Sequence, residues 1–174
     1  MGNELLHKYR NEKIDELEAT MLENFEPVDC PVDHIFTPGL YTRQIFMKAG
    51  TFITSKIHKT RHPYFITQGL VSVWIDEGEE IVLQAPHTGI TEPGTRRVLY
   101  IWEDTIWATV HSNPDDENLE QIEDRIIEKH INPLLTEQMK NKMLSVIQLC
   151  NLYVLMLFNR TNQIKQINDS NLNF

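Results

Sequence analysis

The sequence predicts a mainly β protein: a small antiparallel barrel or sandwich, with a helix before it and helices after it. Between Leu40 and His111 the chain reads as short β-rich runs, LYTRQIFM, TFITSKI, YFIT, LVSVWI, EIVLQ, RVLYIW and TIWATV, divided by AG, QG, DEG, EPGT and WED. Strand-type runs at a spacing of roughly 8 to 12 residues, with no helical pattern between them, point to an all-β architecture and not to βαβ units. The flanks differ in period, with apolar residues recurring every three or four positions. The length of 174 residues fits one domain with attached helices.

Taken in order, residues 1–26 carry charges throughout, with Leu6, Ile14, Leu17, Met21, Leu22 and Phe25 forming one apolar stripe on a helix. This predicts a docking helix. Residues 27–39 bring prolines and a glycine that end the helix and read as a linker into the barrel at 40–112. The run DEGEE at 76–80 is a hairpin turn with solvated charges. The segment 114–130 predicts a helix with acids in its first turn and basic residues near its end, matching the macrodipole. Its Leu119, Ile122, Ile126 and Ile127 would face the barrel.

After Pro133, the residues Met139, Met143, Val146, Cys150, Tyr153 and Leu157 follow a heptad-like spacing, so a helical segment is predicted over 114–158 as a whole. The window 143–158 is the most apolar, yet it is shorter than the ~20 residues that cross a bilayer. It reads as a partner or self-association helix, with a homodimer as the simplest cover and a membrane-tethered binding protein as the alternative. The remainder, 159–174, is a polar tail.

Sixteen Lys and Arg against 25 Asp and Glu leave a formal charge of -9. A broad phosphate-binding surface needs clustered cations, so nucleic acid is excluded as an expected partner. Cys30 and Cys150 form no C-x-x-C pair, which predicts neither a zinc ribbon nor a disulfide framework and favours a reducing, cytoplasmic setting. The N-terminal residues lack the apolar stretch of a signal peptide. The aromatic residues Phe52, Phe65, Trp74, Tyr100, Trp102 and Trp107 read as core.

One stretch carries chemistry. In 56-KIHKTRHPY-64, His58 and His62 lie four residues apart between two strands. Gly50, five residues, Lys56, one residue, His58, three residues, His62, six residues and Gly69 reproduce the spacing of the first motif of the cupin family, whose three ligand positions read Lys, His and His here. The segment 92-EPGTRR-97 resembles the second cupin motif, with Gly94 kept and Arg97 in the histidine place. The stretch 40–112, with its WED turn before a Trp-containing strand that ends in His111, also resembles small cupin-like proteins encoded by tailed bacteriophages. In that group the first motif commonly reads His-Lys-Thr-Glu-His, and Arg61 stands here where the glutamate would be.

The resemblance implies a jelly-roll barrel and two arrangements of its lumen. His58, His62 and His111 make one candidate metal site, for a divalent Fe, Mn, Ni or Zn held by neutral imidazoles. Lys56 and Arg97, with Tyr64 beside them, make a cationic pocket for a small anionic ligand, using the fork geometry of arginine. Alternatively Lys56 and Arg97 lie at the barrel mouth with their charges in water. Two functions follow as expectations. The first is a phage-type barrel acting as a non-catalytic small-molecule-binding or assembly module, associated with other phage proteins or the virion in the host cytoplasm. The second is a metal-dependent enzyme of the dioxygenase or isomerase type.

Overall fold

The computed structural model describes residues 2–75, 79–115, 118–139 and 149–150. The N-terminal helix α1 spans Gly2–Asn24, and the strands follow as β1 (Val32–Thr37), β2 (Gly39–Met47), β3 (Thr51–Thr54), β4 (His62–Gln68), β5 (Leu70–Trp74), β6 (Glu80–Gln84), β7 (His87–Thr91), β8 (Val98–Ile101) and β9 (Thr105–Asn113). Helix α2 spans Leu119–Ile126, and β10 is the two-residue Leu149–Cys150.

The pairing is nested. β5 pairs with β6, β4 with β7, β3 with β8 and β2 with β9, all antiparallel, as if one long hairpin had been rolled up. Two further ladders, β4 with β9 and β5 with β8, gather the strands into sheets ordered β1-β2-β9-β4-β7 and β10-β3-β8-β5-β6. That connectivity is the jelly roll, and the fold is mainly β as the run spacing predicts. Period-two alternation sets the interior. Met47, Ile53, Tyr64, Ile66, Val71, Val73, Leu99, Ile101 and Trp107 form the main buried cluster between the sheets.

Two strands lie where sequence reasoning sees connections. β1 occupies residues 32–37 of the 27–39 segment expected as a linker; it sits at the sheet edge, pairs among the described residues with β2 alone and is largely exposed, so it lacks the burial alternation of an inner strand. β7 follows the cis Ala85–Pro86 bond and has Gly89 at its centre, a turn-like signature. Gly89 is there for packing: a Cβ would come within 2.5 Å of the Tyr64 ring on the neighbouring strand. Gly69, the closing glycine of the first motif, has φ of +96° and no room for a Cβ beside Thr105.

α1 runs free of internal glycine or proline and ends before Pro27. Ile14, Met21 and Leu22 of the expected stripe are buried, with Met21 packed against Phe52; Leu6 lies outside the residues whose side chains are described. The helix also buries two acids. Arg96 donates to Asp15 and Glu18 at 2.7 Å each, His130 meets Asp15 at 2.9 Å, and Asn132 and Thr54 both donate to Glu18. Docking is therefore ionic as well as apolar, which the apolar stripe alone does not reveal.

α2 is shorter than the predicted 114–130. Asn118 and Gln121 form a reciprocal capping box that starts the helix, and Ile127 leaves it in an extended conformation. Ile122 and Ile126 pack on Tyr41, joined by Leu119 and Ile127, which is the face the spacing predicts. The apolar window 143–158 lies outside the described residues except for Leu149–Cys150, which pairs with β3 at Phe52 and Thr51 instead of continuing a helix. Of the aromatic residues expected in the core, Phe52 and Trp107 are buried, whereas Phe65 points outward from β4 and Trp102 lies partly exposed in the turn after β8, donating to Ser72. Among the described residues no helix is long and apolar enough to cross a membrane.

Candidate metal centre

The inner face of the sheet containing β2, β9, β4 and β7 is organised in rows. Tyr41 pairs with His111, Arg43 with Thr109, Ile45 with Trp107 and Met47 with Thr105. β4 continues the rows, with Tyr64 beside Thr109 and Ile66 beside Trp107, and β7 adds Gly89 beside Tyr64 and Thr91 beside His62. The same register carries His62 next to His111, and their rings lie 4.3 Å apart. The lumen thus passes from a histidine row, through a row with Arg43 and Tyr64, to an apolar floor.

His58 comes from the loop after β3 and is brought to this row by the chain beyond α2. Residue 58 bridges Ile127; the Lys59 amide donates to Ile126, the Glu128 amide donates to Ile57, and the His58 carbonyl accepts from Gly94. His58 lies 4.4 Å from His62 and 5.8 Å from His111, ring centre to ring centre. One ring nitrogen of each histidine lies within 4.8 Å of the others. Bonds of ~2.0–2.1 Å at tetrahedral angles set ligand nitrogens about 3.3 Å apart, so the rings would close by at most about 1.5 Å around an ion.

The electrostatics suit such an ion. His58 Nδ1, His62 Nε2 and His111 Nδ1 are buried without a hydrogen-bond partner. The opposite nitrogen of His62 meets the Thr60 carbonyl at 2.9 Å; a carbonyl only accepts, so Nδ1 carries the proton and Nε2 keeps its lone pair. His111 Nε2 lies 3.2 Å from the Thr109 hydroxyl. Burial first, and then the neighbouring His62, His111, Arg97 and Arg43, push the His58 pKa down to about 3. Burial, His62, Arg125 and Arg43 do the same to His111, also to about 3, and burial lowers His62 against the Thr60 contact. All three are neutral at pH 7, the form that binds metal.

The other expected site residues separate. Arg97 is buried; it donates to the Thr91 hydroxyl at 3.1 Å and lies 5.5 Å over the Tyr64 ring, which also stacks on Trp107. Burial lowers the Arg97 pKa and raises that of Tyr64. Lys56 instead lies half-exposed at the cavity mouth, paired at 3.0 Å with Glu123 of α2. The reason is local: β3 ends at Thr54, so strand alternation no longer governs residue 56. Arg61, in the glutamate position, is exposed and pairs with Glu92.

One lumen residue escaped sequence reasoning. Arg43 lines the same cavity of about 290 Å³ as His58, His62 and Arg97. Burial lowers its pKa, opposed by Tyr41, Glu123 and Cys30. Among the described residues none forms a hydrogen bond or ion pair with its guanidinium, and Glu123 is engaged by Lys56. The signal was present, since Tyr41, Ile45 and Met47 alternate with solvent-side residues and set position 43 inward. Cys30, at the cavity wall, is an inert thiol, its pKa pushed up to about 12 by burial.

No protein-family model matches the sequence, and no curated protein matches it. Among solved structures, the chain is similar to a conserved protein with a double-stranded β-helix domain from Klebsiella pneumoniae (15% identity, 62% of this chain and 95% of that one, TM-score 0.44). It is also similar to an RmlC-like cupin from Shewanella frigidimarina (16% identity, 57% and 90%, TM-score 0.42) and to a cupin-2 domain protein from the same organism (10% identity, 49% and 83%, TM-score 0.41).

Proposed function

We propose that this protein is a cupin-type barrel that holds one divalent transition metal on His58, His62 and His111 and offers it to a small molecule entering the lumen. The observation that carries this reading is the convergence of three buried, unpartnered imidazole nitrogens, two from the stretch 58–62 and one from the distant end of β9. Leaving such groups buried and unpaired costs about 1–3 kcal/mol each, an outlay that a bound ion would offset. Three protein ligands leave coordination positions open, as in metal sites that meet a substrate or exogenous ligand. When bound, the ion supplies Lewis acidity. The protein's own residues orient it: Thr60 fixes the tautomer of His62, and the segment after α2 holds the His58 loop.

A second reading, recognition without catalysis, is favoured by Lys56 and Arg97 in the places of the family's first-motif and second-motif histidines, and by Arg61 in the place of the phage-type glutamate. The phage-type assignment is supported by the residues 58–62 and by the WED turn.

The test is metal analysis of protein purified without chelator, together with melting curves in Zn, Mn, Ni and Fe(II). The expected result is about one ion per chain, lost in His58→Ala and His62→Ala. At a hundredfold excess over Kd, the stabilisation is about 2.7 kcal/mol. A metal-free protein whose melting point no divalent ion moves would sink the metal reading.

A further inference from the structure

Resting on that reading, we infer that the lumen ligand is a small organic acid, with its carboxylate received by Arg43 and its apolar body lying against Met47, Leu99 and Trp107. Arg43 stands one row below the histidines and one row above Ile45, on the wall of a cavity of about 290 Å³. Its guanidinium forms no hydrogen bond or ion pair with the described residues, and Glu123, the cavity-wall acid that acts on it through space, is held by Lys56; Arg96 by contrast is bonded to Asp15 and Glu18, and Arg97 to Thr91 and the Tyr64 ring. A half-buried guanidinium whose fork bonds nothing in the protein is left open to an incoming anion. A chain of formal charge -9 that still points two arginines into one apolar-floored cavity has built a receptor for an anion.

Geometry selects the class. A guanidinium fork matches a carboxylate in two parallel hydrogen bonds. The floor of Ile45, Met47, Ile53, Leu99 and Trp107 offers a body no polar partner, so an aliphatic or aromatic acid fits better than a sugar or a nucleotide. At Arg43 the carboxylate also lies within a row of the histidine cluster.

The test uses the full chain, with benzoate and hexanoate as probes and benzamide and hexanamide as neutral isosteres, read by calorimetry and thermal shift. Metal content is measured on the same samples. Both acids should bind and raise the melting point, and the amides should not. Arg43→Met should weaken acid binding by about 10- to 100-fold, the range for a charge-assisted hydrogen bond, and Arg43→Lys by less. Without acid, Arg43→Met should melt at the same temperature or higher, because it removes an unpaired cation; a purely structural arginine would give a fall. Lys13→Ala, on α1 away from the cavity, should bind the acids like the wild type.

Equal binding of acids and amides, or wild-type acid binding by Arg43→Met, overturns the inference, as does the failure of both acids to bind. Metal without acid binding defeats it alone and leaves the metal reading standing. Arg43-dependent acid binding in a protein that takes up no metal supports it and defeats the metal reading instead.

Discussion

Lowering the pH of the metal-free protein from 7.0 to 5.5 tests the electrostatics of the histidine row. His111 is almost fully buried, and its folded-state pKa is pushed down to about 3, whereas the unfolded chain titrates near the ordinary 6.5. The depressed value means that the folded state keeps a neutral imidazole while the unfolded state takes up a proton. Stability is therefore complete above about 6.5 and is lost as the pH falls towards 3. At pH 5.5 the folded ring remains uncharged, so the cost is set by the unfolded chain and amounts to about 1.3 kcal/mol relative to pH 7. Urea unfolding in chelator at the two pH values, for wild type and His111→Asn, isolates this contribution from those of other titrating groups. The wild type should lose about 1.3 kcal/mol more than the variant over the interval. Equal losses would mean that His111 protonates in the folded state, and the neutral, metal-ready row would have to be abandoned.

Two further perturbations probe the framework around the site. Arg96→Met leaves Asp15 and Glu18 buried without their cation and should cost about 3–5 kcal/mol in urea unfolding, with α1 becoming the first segment cut in limited proteolysis. A loss below 1 kcal/mol would show that the ion network does not hold the helix. Gly89→Ala drives a methyl group into the Tyr64 ring and should cost about 1–3 kcal/mol, most of it recovered in the double variant with Tyr64→Leu; strict additivity of the two changes would refute the contact.

Where strand alternation operates, the sequence is readable. The seven runs from LYTRQIFM to TIWATV all became strands, and Trp107, Thr109 and His111 share the inward face because they alternate along β9. The same rule would have delivered Arg43, had the charged residue in an otherwise apolar inward series been taken at face value. Lys56 shows the limit, because two residues past the end of β3 its direction depends on α2 and Glu123, a partner 67 positions away. β7 was hidden for a related reason: Gly89 looks like a turn until Tyr64 is known to lie over it. Arg96 and Arg97 are neighbours in sequence, yet one serves α1 and the other the lumen, a division that only the register of the following strand decides.

The rolled-up hairpin also gives the histidine cluster a place in time. Pairing β5 with β6 closes a turn of a few residues, but pairing β2 with β9 requires everything between them to be gathered first. A loop ten times longer costs roughly 2 kcal/mol more in closure entropy. His62 lies on an inner strand of the nest, His111 on the outermost pair, and His58 is positioned by residues beyond it, so the three imidazoles meet only as the last ladder closes. An ion that needs all three would then be a late arrival in folding. It should slow unfolding while leaving the refolding rate unchanged, a division that stopped-flow kinetics with and without zinc can read directly.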